Sequence, residues 1–378
     1  MLRLLLATLG LFAGYHGLLV LVPLWLAASD ASQLAIGAVT GAFMLAAVAG
    51  HLLAPRVVER WNTRGPFVLV LLATAAAALA HLATAAAPPS VVLSAVRGGV
   101  YGIGAVVSAT AVAHLAPPPR RARALATYGF AAALPGVIGS AAVVYLAEEA
   151  GFTAAFVTIA AISLAAVPLL SMPALPAAAE DDAEQLVRTL QPGTVRLVAI
   201  FGGAAMAYGA LLTFVPVHLA SLGAAAYPFV LATASGLALF RWAGGVVVSH
   251  WESGITLGLG LGISGLAMVL LSTLPAAGAP LAGLAFGAGF GLSGTATHAL
   301  LTTRTAWASL GRANAIFNVA WSGGMGLGAI AFGALATATG TLATYVLTAL
   351  WHAMLLGLLV LWQARPDRRD VPWTGRLG

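Results

Sequence analysis

The sequence has no cysteine and no lysine, and only 7% of its 378 residues are charged. Without cysteine there is no disulfide framework and no thiolate to ligate a metal, and the redox compartment cannot be read from the chain. Without lysine, all 17 basic residues are arginines. They are scattered through short segments between apolar runs, so the net charge of +6 does not point to nucleic acid. Acids are scarcer still: there are 11, and none falls inside an apolar run. Short segments of alternating polarity are also missing, which excludes a membrane β-barrel.

What remains is apolar. Hydrophobic residues make up 61% of the chain and the mean hydropathy is +0.98, beyond any soluble domain. Apolar runs of roughly twenty residues, each able to cross a ~30 Å hydrocarbon core as a helix, follow one another from Leu4 to Trp362. Helices satisfy their own backbone groups in lipid, so the expected fold is an all-α membrane protein. The runs predict twelve transmembrane helices near 4–27, 34–55, 66–87, 90–115, 124–147, 151–172, 195–220, 226–250, 255–274, 280–303, 312–337 and 341–363. The first run is too long for a cleaved signal and is expected to be a retained helix.

Arginine placement predicts orientation. Arg3, Arg56, Arg60, Arg64, Arg120, Arg121, Arg123, Arg304, Arg312 and the arginines from Arg365 to Arg376 fall on one side. That side is expected to be cytoplasmic, with both termini there, in the cell (inner) membrane. A polar stretch rich in Ala and Pro, with Glu180, Asp181, Asp182 and Glu184, reads as a linker. The expected domains are an N-terminal six-helix bundle (1–172), a cytoplasmic linker (173–194), a C-terminal six-helix bundle (195–364) and a cytoplasmic tail (365–378). The halves echo each other. Tyr15 to Ala27 in helix 1 matches Tyr208 to Ala220 in helix 7 at an offset of 193, and Ser108 and Thr110 shadow Ser293 and Thr295.

Two segments carry a family likeness. Pro55 to Arg64 resembles the G-x-x-x-D/E-R-x-G-x-R/K signature of the major facilitator superfamily, with Pro55 and Asn62 in place of glycines. Arg97 to Gly104, followed by Pro117 to Leu125, is similar to helix 4 and its following loop in bacterial sugar-efflux and drug-efflux members of the arabinose efflux permease type. The likeness spans essentially the whole chain. It implies two pseudo-symmetric bundles, with helices 1, 4, 7 and 10 lining a central cavity. Leu134-Pro135-Gly136 with Gly139 keeps the proline of the drug-antiporter helix 5 signature but shifts its glycines.

The first motif can act as a conformational clasp, Glu59 facing a helix N-terminus while Arg60 and Arg64 hold carbonyls or acids. The alternative is that these are ordinary positive-inside anchors. Polar residues inside a bilayer are functional candidates. Arg97 can snorkel to the interface or serve as a gate or coupling residue, and Arg241 can sit in a carbonyl network or bind an anion. Tyr15 and Tyr208 can sandwich an amphipathic solute or pack as core aromatics. His16 and His298 are proton candidates where carboxylates are lacking, or satisfied packing residues. Tyr101, Tyr128, Thr295, Asn318 and Trp321 complete the substrate-binding set. No metal site is expected, since no ligand pair shares a helix face. The Gly287-Ala288-Gly289 run follows no strand, so it reads as close helix contact rather than a phosphate cradle.

The reading is a secondary transporter working by alternating access, exporting a small amphipathic organic solute or drug, with proton antiport as an open route. An importer or facilitator of a sugar or small carboxylate is the alternative, and a transport-inactive binding or scaffold protein on the same fold is the alternative of another class. An enzyme is not expected, because no nucleophile, base and acid occur together. No cofactor is expected beyond proton coupling. The expected partners are the solute and the lipid bilayer, with no nucleic acid, and the protein is expected to be a monomer.

Overall fold

The computed structural model describes residues 2–61, 63–115, 121–169, 192–250, 253–303 and 310–363. Among the described residues there is no strand, and the chain forms twelve α-helices. These are α1 (Leu2–Ala27), α2 (Gln33–Trp61), α3 (Arg64–Leu82), α4 (Ala87–Leu115), α5 (Arg121–Leu134), α6 (Ser140–Ala166), α7 (Pro192–Ser221), α8 (Tyr227–His250), α9 (Ser253–Thr273), α10 (Ala279–Thr303), α11 (Leu310–Thr339) and α12 (Thr341–Gln363).

Ten helical stretches among these residues are long and apolar enough to cross a bilayer. One of them, Thr127–Leu169, has 43 residues, about twice the length one crossing needs. It bends at Gly151, whose φ of 86° is left-handed, a conformation glycine adopts without a Cβ penalty. The two crossings of this stretch are therefore joined by a single glycine rather than separated by a loop. The remaining helix of spanning length, Tyr227–His250, is the one that carries Arg241.

The boundaries differ from expectation in three places. Residues 56–61, expected as loop, continue α2 to Trp61, since a helix can project beyond the apolar layer when its polar residues meet water. Helix 3 stops at Leu82 rather than 87, and α4 begins at Ala87 because Pro88 and Pro89 fit a first helical turn, where no amide need be donated. Between α5 and α6, Pro135–Gly139 forms a π turn, where the proline interrupts the i→i−4 ladder. The expected linker 173–194, apart from its last residues 192–194 at the start of α7, and the tail 365–378 lie outside the described residues.

The chain divides into two compact units, Met1–Asp181 with Ala225–Tyr227, and Asp182–Ala224 with Pro228–Gly378. Each repeats the same internal packing. In unit 1, α1 packs on α4, α5 and α6, and α3 on α4 and α6; in unit 2, α7 packs on α10, α11 and α12, and α9 on α10 and α12. Glycines make the tightest contacts possible. A Cβ on Gly98 or Gly102 would collide with the carbonyls of Phe43 and Ala47 in α2, and one on Gly287 or Gly291 with those of Thr233 and Leu237 in α8. Several buried hydroxyls are answered by their own helix: Thr8 donates to Leu4 O at 2.9 Å, Thr74 to Val70 O at 2.8 Å and Thr213 to Gly209 O at 2.7 Å.

Candidate functional site

Unit 1 gathers an aromatic cluster around α1 and α4. Tyr15 stacks on Tyr101 with ring centroids 4.2 Å apart and planes 11° from parallel, and its ring also lies near Phe43 of α2 at 5.7 Å. Phe12, one turn before Tyr15 and His16, meets Tyr101 edge-on at 5.8 Å and Tyr128 at 6.3 Å. The Tyr128 hydroxyl donates to Ala105 O at 3.0 Å and lies 3.0 Å from Ser108 Oγ, which ties α5 to α4. His16 is 4.4 Å from the Tyr15 ring, is hydrogen-bonded to the Ala132 backbone and fills the space left by Gly136 in the π turn.

Arg97 does not snorkel. It is 4% exposed and holds its guanidinium 4.2 Å over the Phe43 ring, a cation–π contact inside the bundle. Its Nε and Nη1 have no hydrogen-bond partner.

Unit 2 carries the counterpart on α7 and α10. Tyr208 stacks on Phe290 at 4.4 Å and also lies parallel to Phe286 at 6.3 Å, the position that the repeat aligns with Tyr101. Phe290 continues to Trp321 of α11 at 4.8 Å and to Phe201 at 5.6 Å, and Phe201 stacks on Phe317 at 4.8 Å. Arg241 of α8 is exposed and places its guanidinium 5.5 Å over Trp321. Thr295 donates to both Arg241 O at 3.2 Å and Gly291 O at 3.0 Å, fixing the α8 backbone at that point. His298 meets Phe317 edge-on at 5.0 Å, and Asn318 is exposed on α11.

The structure therefore assembles Tyr15, His16, Arg97, Tyr101 and Tyr128 in one unit, and Tyr208, Arg241, Thr295, His298 and Trp321 in the other. Both tyrosine rings named for sandwiching a solute have a stacking partner in their own unit. The phenylalanines 12, 43, 201, 290 and 317 were not among the sequence candidates; on an apolar span nothing but their helical spacing to the tyrosines marks them. Of the clasp, Arg60 is exposed at the end of α2 and Arg64 at the start of α3, while the Glu59 side chain lies outside the described residues. Among the described residues no group of three potential metal ligands occurs.

Comparison with known proteins gives one family. The sequence model of the Major Facilitator Superfamily matches residues 4–306. No curated protein matches the sequence. Solved structures do match in shape. The nucleoside transporter NupG has a TM-score of 0.79 at 15% identity, covering 95% of this chain and 98% of its own. The xylose transporter XylE from E. coli, in an inward-open conformation, has a TM-score of 0.73 at 15% identity, covering 99% and 98%. A bacterial homolog of the human lysosomal transporter Spinster has 0.77 at 15%, covering 95% of each. At these identities the likeness is one of fold.

Proposed function

Because this chain belongs to the Major Facilitator Superfamily, we propose that it is a secondary transporter that moves a small amphipathic organic solute by alternating access of its two units. The observation that carries the solute class is the unit 2 wall. An exposed guanidinium, Arg241, stands over Trp321 beside the Tyr208–Phe290 stack, and no apolar span holds an Asp or Glu. Such a wall attracts a flat or apolar body carrying a neutral or negative polar group, and offers nothing to select a cation.

Export is the proposed direction, on the likeness of Arg97 to Gly104 and of the loop after it to efflux members. The arginine distribution supports cytoplasmic termini in an inner membrane. Coupling to protons, if the transport is active, runs through histidine, with His16 on α1 the best placed, because the spans hold no carboxylate. A second reading, import of a sugar or small carboxylate, is favoured by the fold relatives, which include nucleoside and xylose transporters.

The test is transport by purified protein in proteoliposomes, using amphipathic drugs, sugars and small carboxylates with and without a pH gradient. Saturable flux of an amphipathic neutral or anionic compound, weakened by Arg241→Ala, supports the reading. Flux confined to cationic drugs contradicts it.

A further inference from the structure

Helix α2 runs on past its own apolar span. The span ends at Ala54 and the helix at Trp61, so residues 55–61 carry it about 10 Å further, through the headgroup layer that borders a ~30 Å hydrocarbon core. One side of this end is closed: Ala54 and Val58, one turn apart, are buried. The other side is open along a continuous stripe. Leu52 and Leu53 are 47% and 48% exposed, Arg56 and Arg60 follow in the next two turns and are exposed too, and Trp61 is 57% exposed.

The chemistry of this stripe changes in the order in which a bilayer changes. Residues four apart share a helix face, so Leu52, Arg56 and Arg60 line up from apolar to basic, and Trp61 closes the row with a ring suited to the membrane interface. Among the described residues no acid pairs with Arg56 or Arg60. Arg60 stands in the last turn, where the carbonyl end of the helix favours a cation, but Arg56 lies more than a turn inside it and that effect has faded there. Arg64, exposed at the first residue of α3, adds positive charge close by. The repeat shows that the fold does not itself require these guanidiniums. At the offset that aligns Trp61 with Trp251, Val246 and His250 stand in place of Arg56 and Arg60.

We propose that Arg56 and Arg60 hold the phosphate of an anionic phospholipid, with its acyl chains against Leu52 and Leu53 and Trp61 beside its head group. Two guanidiniums one turn apart on a single face can both donate charge-assisted hydrogen bonds to one phosphate diester. The leucines below them select a lipid over a soluble phosphate, because they offer the chains an exposed apolar face continuous with the basic one. A zwitterionic lipid brings its own cation to the same place and gains less. This inference rests on unit 1 alone and is independent of the solute assigned to Arg241.

The experiment is thermal denaturation of the purified full-length protein in a neutral detergent, with phosphatidylglycerol or phosphatidylcholine added at increasing mole fraction and constant ionic strength. The wild type is expected to show a saturable rise in its midpoint with phosphatidylglycerol, and to need about tenfold more phosphatidylcholine for the same rise. Arg56→Gln and Arg60→Gln are each expected to raise the half-saturating fraction of phosphatidylglycerol roughly fivefold, and the double variant to respond to both lipids alike. Arg196→Gln, which removes the same charge from an exposed position near the start of α7, is expected to change nothing. All three arginines are exposed, and glutamine keeps a good helix former at each. Equal wild-type responses to the two lipids, a flat response to phosphatidylglycerol, or a preference retained in the double variant overturns the proposal. So does an equal loss in Arg196→Gln, which would reduce the effect to net charge. Stabilisation by water-soluble glycerol 3-phosphate in place of the lipid would mark a free-phosphate site and overturns it as well.

Discussion

His16 of α1 lies directly against Gly136 of the π turn in the helix 5 crossing: a Cβ placed on Gly136 would stand 2.9 Å from the imidazole Cε1 and 3.0 Å from Nε2. The π turn and the histidine are thus fitted to one another, the missing side chain of one making room for the ring of the other. Gly136→Val is expected to lower stability by about 1–3 kcal/mol, the usual cost of overpacking, more than the helix-propensity gain over glycine returns. His16→Ala in the same chain is expected to recover most of that loss, since it empties the space. A double-mutant cycle by thermal denaturation measures the coupling; strict additivity would show that the two residues do not touch.

Backbone contact between α2 and α4, and between α8 and α10, predicts intolerance of any side chain at Gly98 and Gly287. Gly98→Ala and Gly287→Ala are each expected to abolish the monodisperse peak in size-exclusion chromatography of the detergent-solubilised protein. Gly262→Ala and Gly357→Ala, where nothing lies within 4 Å of the added Cβ, are expected to elute as wild type.

The hydrogen bonds of Tyr128 to Ala105 O and Ser108 Oγ, at 3.0 Å each, hold α5 to α4. Tyr128→Phe is expected to cost about 0.5–1.5 kcal/mol for a lost hydrogen bond, without the larger loss of a missing ring. Tyr128→Ala also removes the edge contact with Phe12 and is expected to cost several times more. Midpoints of the two variants, measured together, separate the hydroxyl from the ring.

Arg241 and Trp321 are expected to respond differently to removal. The exposed arginine contributes little to folding, so Arg241→Ala should leave the thermal midpoint close to wild type while weakening solute affinity about tenfold, the range of a partly desolvated cation–π or charged contact. Trp321 is part of the aromatic wall with Phe290 and Tyr208, and Trp321→Ala should lower both affinity and midpoint. Flux and denaturation measurements on the same preparations check this; a large midpoint loss in Arg241→Ala would mean that the residue is structural.

Much of the architecture is legible in apolar run lengths, because a bilayer imposes one length on every crossing. Tyr15, Tyr208, Arg97 and Arg241 stand out for the same reason: a polar group inside an apolar run is costly and therefore conspicuous. Phe43 and Phe290 complete the same clusters and are invisible in sequence, since phenylalanine on a membrane helix is unremarkable until its ring is seen over a guanidinium or a tyrosine. The end of α2 misleads in the opposite sense, because Glu59-Arg60 reads as loop when polarity alone is considered, whereas a helix continues past the apolar layer without penalty. The join at Gly151 could not be read either, as it depends on one backbone angle rather than on composition.

The central claim is vectorial transport through alternating access, and the most direct measurement is solute flux. Compounds that raise the thermal midpoint of the purified protein can be chosen first, then followed into proteoliposomes as counterflow against a preloaded unlabelled pool. The account predicts saturable, protein-dependent counterflow of at least one stabilising compound, reduced in Arg241→Ala. Saturable binding of such compounds with no movement across the membrane, in wild type and variant alike, would contradict it and point to a binding protein built on a transporter fold.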